Sequence, residues 1–146
     1  MKVVDLTESL LRSLKVRELE IRDLGDNFIK EQGLDFLESE YKKAVLSDEG
    51  EVFFTFGGKN MGKGVWTWLL ASDRMKEIPV TSMKLILQGL NEGRELNQAL
   101  GSKYFYTFNN PAFPREINFL KRLGFKERSS YLFNDGVKRL LLIKEF

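Results

Sequence analysis

The last third of this chain constrains its fold most. Lys103-Tyr104-Phe105-Tyr106-Thr107-Phe108 is aromatic and alternating, the pattern of a strand. Asn109-Asn110-Pro111 breaks it. Phe113, Ile117 and Leu120 then recur at helical spacing and run into Leu123-Gly124-Phe125. A glycine just past an apolar stripe predicts a left-handed residue that ends the helix, with Phe125 folding back onto the core. Tyr131-Leu132-Phe133 and residues 138–146 predict two more strands. Strand, turn, helix, strand, strand requires a sheet with a helix laid on it.

Upstream, the alternation of Leu14, Val16, Leu19 and Ile21 predicts a strand over 14–21. Asp23 is placed to cap a short helix carrying Leu24, Phe28 and Ile29, with Gly33 as its stop. Leu34, Leu37, Tyr41, Ala44 and Val45 fall on one face of a further helix, and 47–50 is a turn. Val52-Phe53-Phe54-Thr55-Phe56 reads as a strand broken by Gly57-Gly58-Lys59-Asn60, and Val65-Trp66-Thr67-Trp68-Leu69-Leu70 as the next. Pro79 opens a long helix, with Thr81 or Ser82 near its start and Gly101 at its close. Gly89 and Gly93 inside it mark either close packing on a sheet or a break. The expected fold is α/β (α+β): a mixed sheet of six or seven strands flanked by about four helices.

A chain of 146 residues fits one domain, 1–146, with 1–13 as an N-terminal extension. Such a chain buries about 68–70% of its unfolded surface, enough for a core. Hydrophobic content of 42% with 30% charged residues excludes a disordered chain. No apolar run approaches the roughly 20 residues of a membrane span, and the N-terminus lacks the apolar core of a signal peptide. A cytoplasmic location is compatible with this.

With no cysteine and no histidine, there is no thiolate nucleophile, no imidazole base and no basis for expecting a metal site. Proton transfer falls to Glu, Asp, Tyr, Lys or water. The charge is uneven: 1–50 carries a net −4 and 115–146 a net +4. A solvated acidic face and a solvated basic face account for that. A basic face for an anionic, nucleotide-bearing cofactor comes second, and nucleic acid third, since the cations form no run.

Two segments are candidates for binding phosphate. Gly57-Gly58, Gly62 and Gly64 miss the P-loop spacing and precede a strand, so a Gly-rich hairpin is expected there. At 71–82 a strand passes through a turn into a helix N-terminus, whose free N–H groups and partial positive charge suit a pyrophosphate. An ordinary capped helix explains the same residues equally well.

The order of elements and four motifs resemble the GNAT (N-acetyltransferase) superfamily over roughly 14–146. Val16-Arg17-Glu18-Leu19 with Asp23 looks like its first strand and helix-opening Asp. Gly57-Gly58 and Val65-Trp66-Thr67-Trp68-Leu69-Leu70-Ala71-Ser72-Asp73 look like its third and fourth strands. Tyr104 to Asn110 is similar to strand five with its terminal Asn, and Ile117-Asn118-Phe119-Leu120-Lys121-Arg122-Leu123-Gly124-Phe125 to its helix-to-Gly-Phe motif. Divergent GNAT-like proteins of short-tailed bacteriophages share this Trp-Leu-Leu strand and Leu-Gly-Phe ending.

The resemblance implies strands four and five that splay near Ala71 and Asn109, and acetyl-CoA bound by Leu70, Ala71, Val80, Thr81, Ser82 and Asn110. It implies a peptide N–H of Leu70 or Ala71 as the donor to the acyl carbonyl, with Glu51, Glu77 or water as base. The acceptor would be an amine. The family's Arg/Gln-x-x-Gly-x-Gly/Ala turn is absent from 74–82, which hold Pro79 instead. Leu120 stands where a thiolate-protonating Tyr commonly sits, and Asn110 lies farther from Gly124 than the family's Asn from its glycine. Tyr104 and Tyr106 share one face of their strand and can line a cleft or simply pack. Two functions follow: an acyl-CoA-dependent N-acyltransferase with degenerate motifs, or a non-catalytic GNAT-fold phage virion, assembly or host-interaction protein. Both place the chain in a bacterial host cytoplasm or a virion, off the membrane.

Overall fold

The structure is a computed structural model that describes residues 1–17 and 28–146, with the backbone alone over 28–32. Strand β1 (Lys2–Asp5) leads to helix α1 (Glu8–Ser13), then α2 (Phe28–Leu37), β2 (Tyr41–Leu46), β3 (Val52–Asn60) and β4 (Gly64–Ala71). A 3-10 turn (Asp73–Glu77) enters α3 (Pro79–Ala99). There follow β5 (Tyr104–Asn109), α4 (Pro114–Arg122), β6 (Lys126–Leu132) and β7 (Lys138–Glu145). The strands make one mixed seven-stranded sheet in the order β1-β2-β3-β4-β5-β7-β6. Seven strands and four α-helices among the described residues match the expected architecture. None of those helices is long and apolar enough to cross a membrane.

The chain divides into two compact units: Met1–Lys59 with Trp68–Gly93, and Asn60–Thr67 with Arg94–Phe146. In the first, Ala44, Val45 and Phe54 are fully buried. Trp68 stands edge-on to Phe36, centroids 5.0 Å apart, and its indole N–H donates to Ser39 Oγ at 2.9 Å. Gly57 makes room for that indole: a Cβ there would lie 2.6 Å from Trp68 Cζ2. Gly89 likewise admits Phe56, whose Cε2 would stand 2.3 Å from an added Cβ. Of the two readings of the helix glycines, close packing holds at Gly89, and α3 runs unbroken.

Three expectations are corrected. Tyr41–Leu46 is a strand, not a helix face, paired with β1 and β3. Its final three residues are all buried, whereas helical periodicity would expose some of them. Gly57 to Asn60 continue β3, with Gly57 opposite Lys42 and Gly58 opposite Tyr41; the hairpin turns at Gly62, at φ +103°. Gly33 lies inside α2 and does not end it. The expected strand over 14–21 shows one bridge, Val16 to Ser72. Its remainder, with Asp23 and Leu24, lies outside the described residues.

In the second unit β4 and β5 pair in parallel from Gly64↔Tyr104 to Trp66↔Tyr106. The turn at 60–64 is tied down by Asn60, whose Nδ2 donates to Asn97 Oδ1 at 2.9 Å and to Ser102 Oγ at 2.7 Å. Val65, Phe105, Ile117, Phe125 and Leu142 form the core. Pro114 opens α4, and Gly124 closes it at φ +100°. The Gly124 N–H donates to Lys121 O and the Phe125 N–H to Leu120 O, each at 3.0 Å. This is a Schellman ending, with Phe125 buried as expected. A Cβ on Gly124 would also meet Lys144 Cε and Nζ at 3.3 Å. Gly124→Val should therefore cost more than about 1 kcal/mol, because a β-branched residue strains at positive φ. Urea unfolding checks this; an unchanged midpoint would contradict the assignment.

Candidate functional site

The end of β4 is defined by where its peptide groups point. The Ser72 N–H and Oγ–H both donate to Phe53 O of β3, at 3.0 and 2.8 Å. Peptide groups alternate along a strand, so Leu70 also faces β3 and Ala71 faces the opposite edge. The Ala71 carbonyl accepts the Arg17 N–H at 3.0 Å on that edge, beside the Val16–Ser72 bridge. Leu70 and Ala71 are both buried, and Leu70 O accepts the Thr55 hydroxyl at 3.4 Å. Of the two peptides expected to polarise an acyl carbonyl, the one on the edge away from β3 is Ala71.

Ser72 also caps the 3-10 turn, its Oγ accepting the Arg74 N–H at 3.3 Å. The Arg74 side chain is held by Glu77 and Glu51: Nε to Glu77 Oε2 at 3.1 Å and Nη1 to Glu51 Oε2 at 2.8 Å. Its guanidinium also lies 4.7 Å over the Phe53 ring. These carboxylates, Glu77 first and then Glu51, push its already high pKa further up. Both carboxylates expected as bases are thus partnered by a cation.

Helix α3 starts at Pro79, which has no N–H. The Ile78 N–H is used by Met75 O, and the Ser82 N–H donates to Ile78 O at 2.8 Å. Helix geometry leaves the N–H groups of Val80 and Thr81 without an acceptor in the helix. Val80 is exposed. Ser82 is 2% exposed, and its buried Oγ has no hydrogen-bond partner among the described residues. An orphaned hydroxyl costs about 1–3 kcal/mol. Two peptide donors and this hydroxyl in one turn fit a phosphate oxygen, though less fully than a glycine turn would.

Asn110, in the second unit, follows β5 and shapes the turn into α4: its Oδ1 accepts the Ala112 N–H at 2.9 Å. Tyr104 and Tyr106 are half-buried with centroids 6.3 Å apart, and burial, then the neighbouring Tyr104, raises the Tyr106 pKa. Sequence reasoning did not single out Arg17 as a partner of Ala71, nor the orphaned state of Ser82. Neither leaves a local pattern, since both depend on what lies opposite in space.

Solved structures named as acetyltransferases share this architecture. Ard1 from Thermoplasma volcanium aligns with a TM-score of 0.75 at 12% identity, over 99% of this chain and 96% of that one. The fold is the GNAT fold. A GNAT superfamily phosphinothricin acetyltransferase from Sinorhizobium meliloti, solved in complex with AcCoA, aligns at 0.68 and 15% identity over 99% of this chain and 88% of that one. A variant of the spermidine N-acetyltransferase SpeG from Vibrio cholerae aligns at 0.66 and 11% identity over 99% and 96%. No family model matches the chain, and no curated protein matches its sequence.

Proposed function

We propose that this GNAT-fold chain is an acyl-CoA-dependent N-acyltransferase, moving an acetyl or other acyl group from coenzyme A to an amine. Two features support the reading: the N–H groups of Val80 and Thr81, which have no acceptor within α3, and the buried Ser82 hydroxyl of the same turn, which has no hydrogen-bond partner among the described residues. A diphosphate seated there accepts hydrogen bonds from all three and meets the positive end of α3. Bound acetyl-CoA supplies a thioester carbonyl open to attack. The Ala71 peptide would present its N–H to that carbonyl, with Leu70 beside it. With Glu51 and Glu77 both tied to Arg74, water is the favoured proton acceptor.

Pro79 and Glu77 in the turn predict weak binding, a Kd on the order of 0.1–1 mM, or about −5.5 to −4 kcal/mol. Calorimetric titration with acetyl-CoA tests this. Ser82→Ala should bind at least about tenfold more weakly, since a hydrogen bond to a charged group is worth about 1.5–3 kcal/mol, or a factor of about 10–150. It should not lower the melting temperature, because the hydroxyl it removes has no hydrogen-bond partner among the described residues. If millimolar acetyl-CoA leaves the Val80–Ser82 amide resonances unmoved, the reading fails.

The alternative is a non-catalytic GNAT-fold protein of phage virion, assembly or host-interaction type, in the host cytoplasm or a virion. Leu120 in place of the usual Tyr, and the turn lacking glycines, favour it. Failure of cofactor binding together with co-purification in virions would support it.

A further inference from the structure

Five aromatic side chains form one connected row in the second unit, four on β5 and β6 and the fifth, Phe133, just past the end of β6. Tyr104, Tyr106 and Phe108 alternate along β5 and so share a face. Tyr106 and Phe108 stand edge to face at 6.0 Å, and Phe108 meets Tyr131 at 6.0 Å and Phe133 at 5.2 Å. Trp66 stands opposite Tyr106 in the parallel register, on the same face. Gly64 lets the row lean across β4: a Cβ there would lie 2.4 Å from Tyr104 Cε2 and 2.9 Å from Tyr106 Cδ1.

The end of α4 lies on the other face. Gly124 adjoins Lys144, which is opposite Phe105 in the register and donates from Nζ to Leu123 O at 2.6 Å. Burial, and then the charge of Arg94, lowers the Lys144 pKa there. The aromatic face thus stays half open: Tyr104, Tyr106 and Phe108 are half-buried, and Tyr131 is 50% exposed.

That face already seats one cation. The Arg139 guanidinium, bonded to Asp135 Oδ1 at 3.2 Å and Oδ2 at 3.0 Å, lies 4.7 Å over the Phe133 ring. Ring faces carry the negative end of a quadrupole, and indole and phenol rings attract cations best. We propose that the row of Trp66, Tyr104, Tyr106 and Phe108 is a cation–π site for the ammonium group of a small organic amine. This binding does not depend on the acyltransferase reading.

The test uses the full chain without cofactor. Tetramethylammonium and its uncharged counterpart, neopentyl alcohol, are titrated while the aromatic ring resonances are followed by NMR. The expected result is saturable shifts of Tyr104, Tyr106 and Phe108 with the cation and much weaker ones with the alcohol. Tyr106→Leu, which keeps apolar volume and removes the π face, should weaken cation binding about two- to fivefold. Gly64→Ala, which pushes the Tyr104 ring aside and removes no aromatic group, should weaken it as well. Equal response to the two probes would show a merely apolar face and overturn the proposal, as would no response or a Tyr106→Leu variant that binds like wild type. Ammonium binding without turnover of any amine would count against the acyltransferase reading and leave the cation site standing.

Discussion

Gly57→Ala should lower the unfolding free energy by about 2–3 kcal/mol, toward the top of the range for an overpacked core. At this chain length that is a fall in melting temperature of roughly 6–10 °C. An added Cβ would lie 2.4 Å from the Tyr41 carbonyl oxygen and 2.6 Å from Trp68 Cζ2. Neither neighbour gives way cheaply. Tyr41 belongs to β2, which is hydrogen-bonded to β3 along its length. Trp68 is pinned by its bond to Ser39 and by Phe36 against its ring. Gly50 is the control: it has φ +84° and nothing within 4 Å of an added Cβ, so Gly50→Ala should show only the smaller backbone strain of positive φ. Calorimetric melting of both variants separates the two costs. Were Gly57→Ala to melt with the wild type, the close approach of β2, β3 and Trp68 would be wrong.

The second large effect is in rate. If the chain transfers acyl groups, it does so without His or Cys and with Leu120 at the position of the usual acid. General acid help is worth about 10²–10⁴ in rate, or about 2.7–5.4 kcal/mol. Wild-type turnover of acetyl-CoA with an amine should be slower than in an enzyme with that acid by up to this factor, and Leu120→Tyr should recover part of it. The change is structurally mild. Leu120 is only half-buried, and its carbonyl, which accepts the N–H groups of Leu123 and Phe125, is untouched. A steady-state thiol-release assay decides. Fast wild-type turnover would reveal another proton donor, with Tyr104, Tyr106 and Tyr131 the first to replace.

The C-terminal third was legible from its residues because its signals are local. Alternating aromatics from Tyr104, the break at Asn109-Asn110-Pro111 and Gly124 after an apolar stripe each restrict φ, ψ or facing within a few residues. The helix from Pro79 is legible for the same reason, whereas the glycine hairpin expected from Gly57 turns later, at Gly62. The site was less so. Val80, Thr81 and Ser82 could be named as a helix start, but whether Ser82 Oγ has a partner depends on side chains from elsewhere in the chain.

Other features depended on partners distant in sequence. Tyr41, Ala44 and Val45 satisfy helical spacing, yet two neighbouring strands take up their peptide groups and bury their ends from both sides, and that outweighs periodicity. Gly57 looks like a strand breaker until Trp68 occupies the space that its missing side chain leaves. The placement of β7 between β5 and β6 has no signature in either strand, since any exposed edge offers the same N–H and C=O groups. The residues alone thus determined most of the strands, the start of α3 and the end of α4, which are set by backbone sterics over short range, but not the strand Tyr41–Leu46, the course of α2 past Gly33 or that of β3 past Gly57. Strand order, the packing that makes Gly57 and Gly89 indispensable and the isolation of the Ser82 hydroxyl were decided only by the tertiary structure, because each is a property of which surfaces meet.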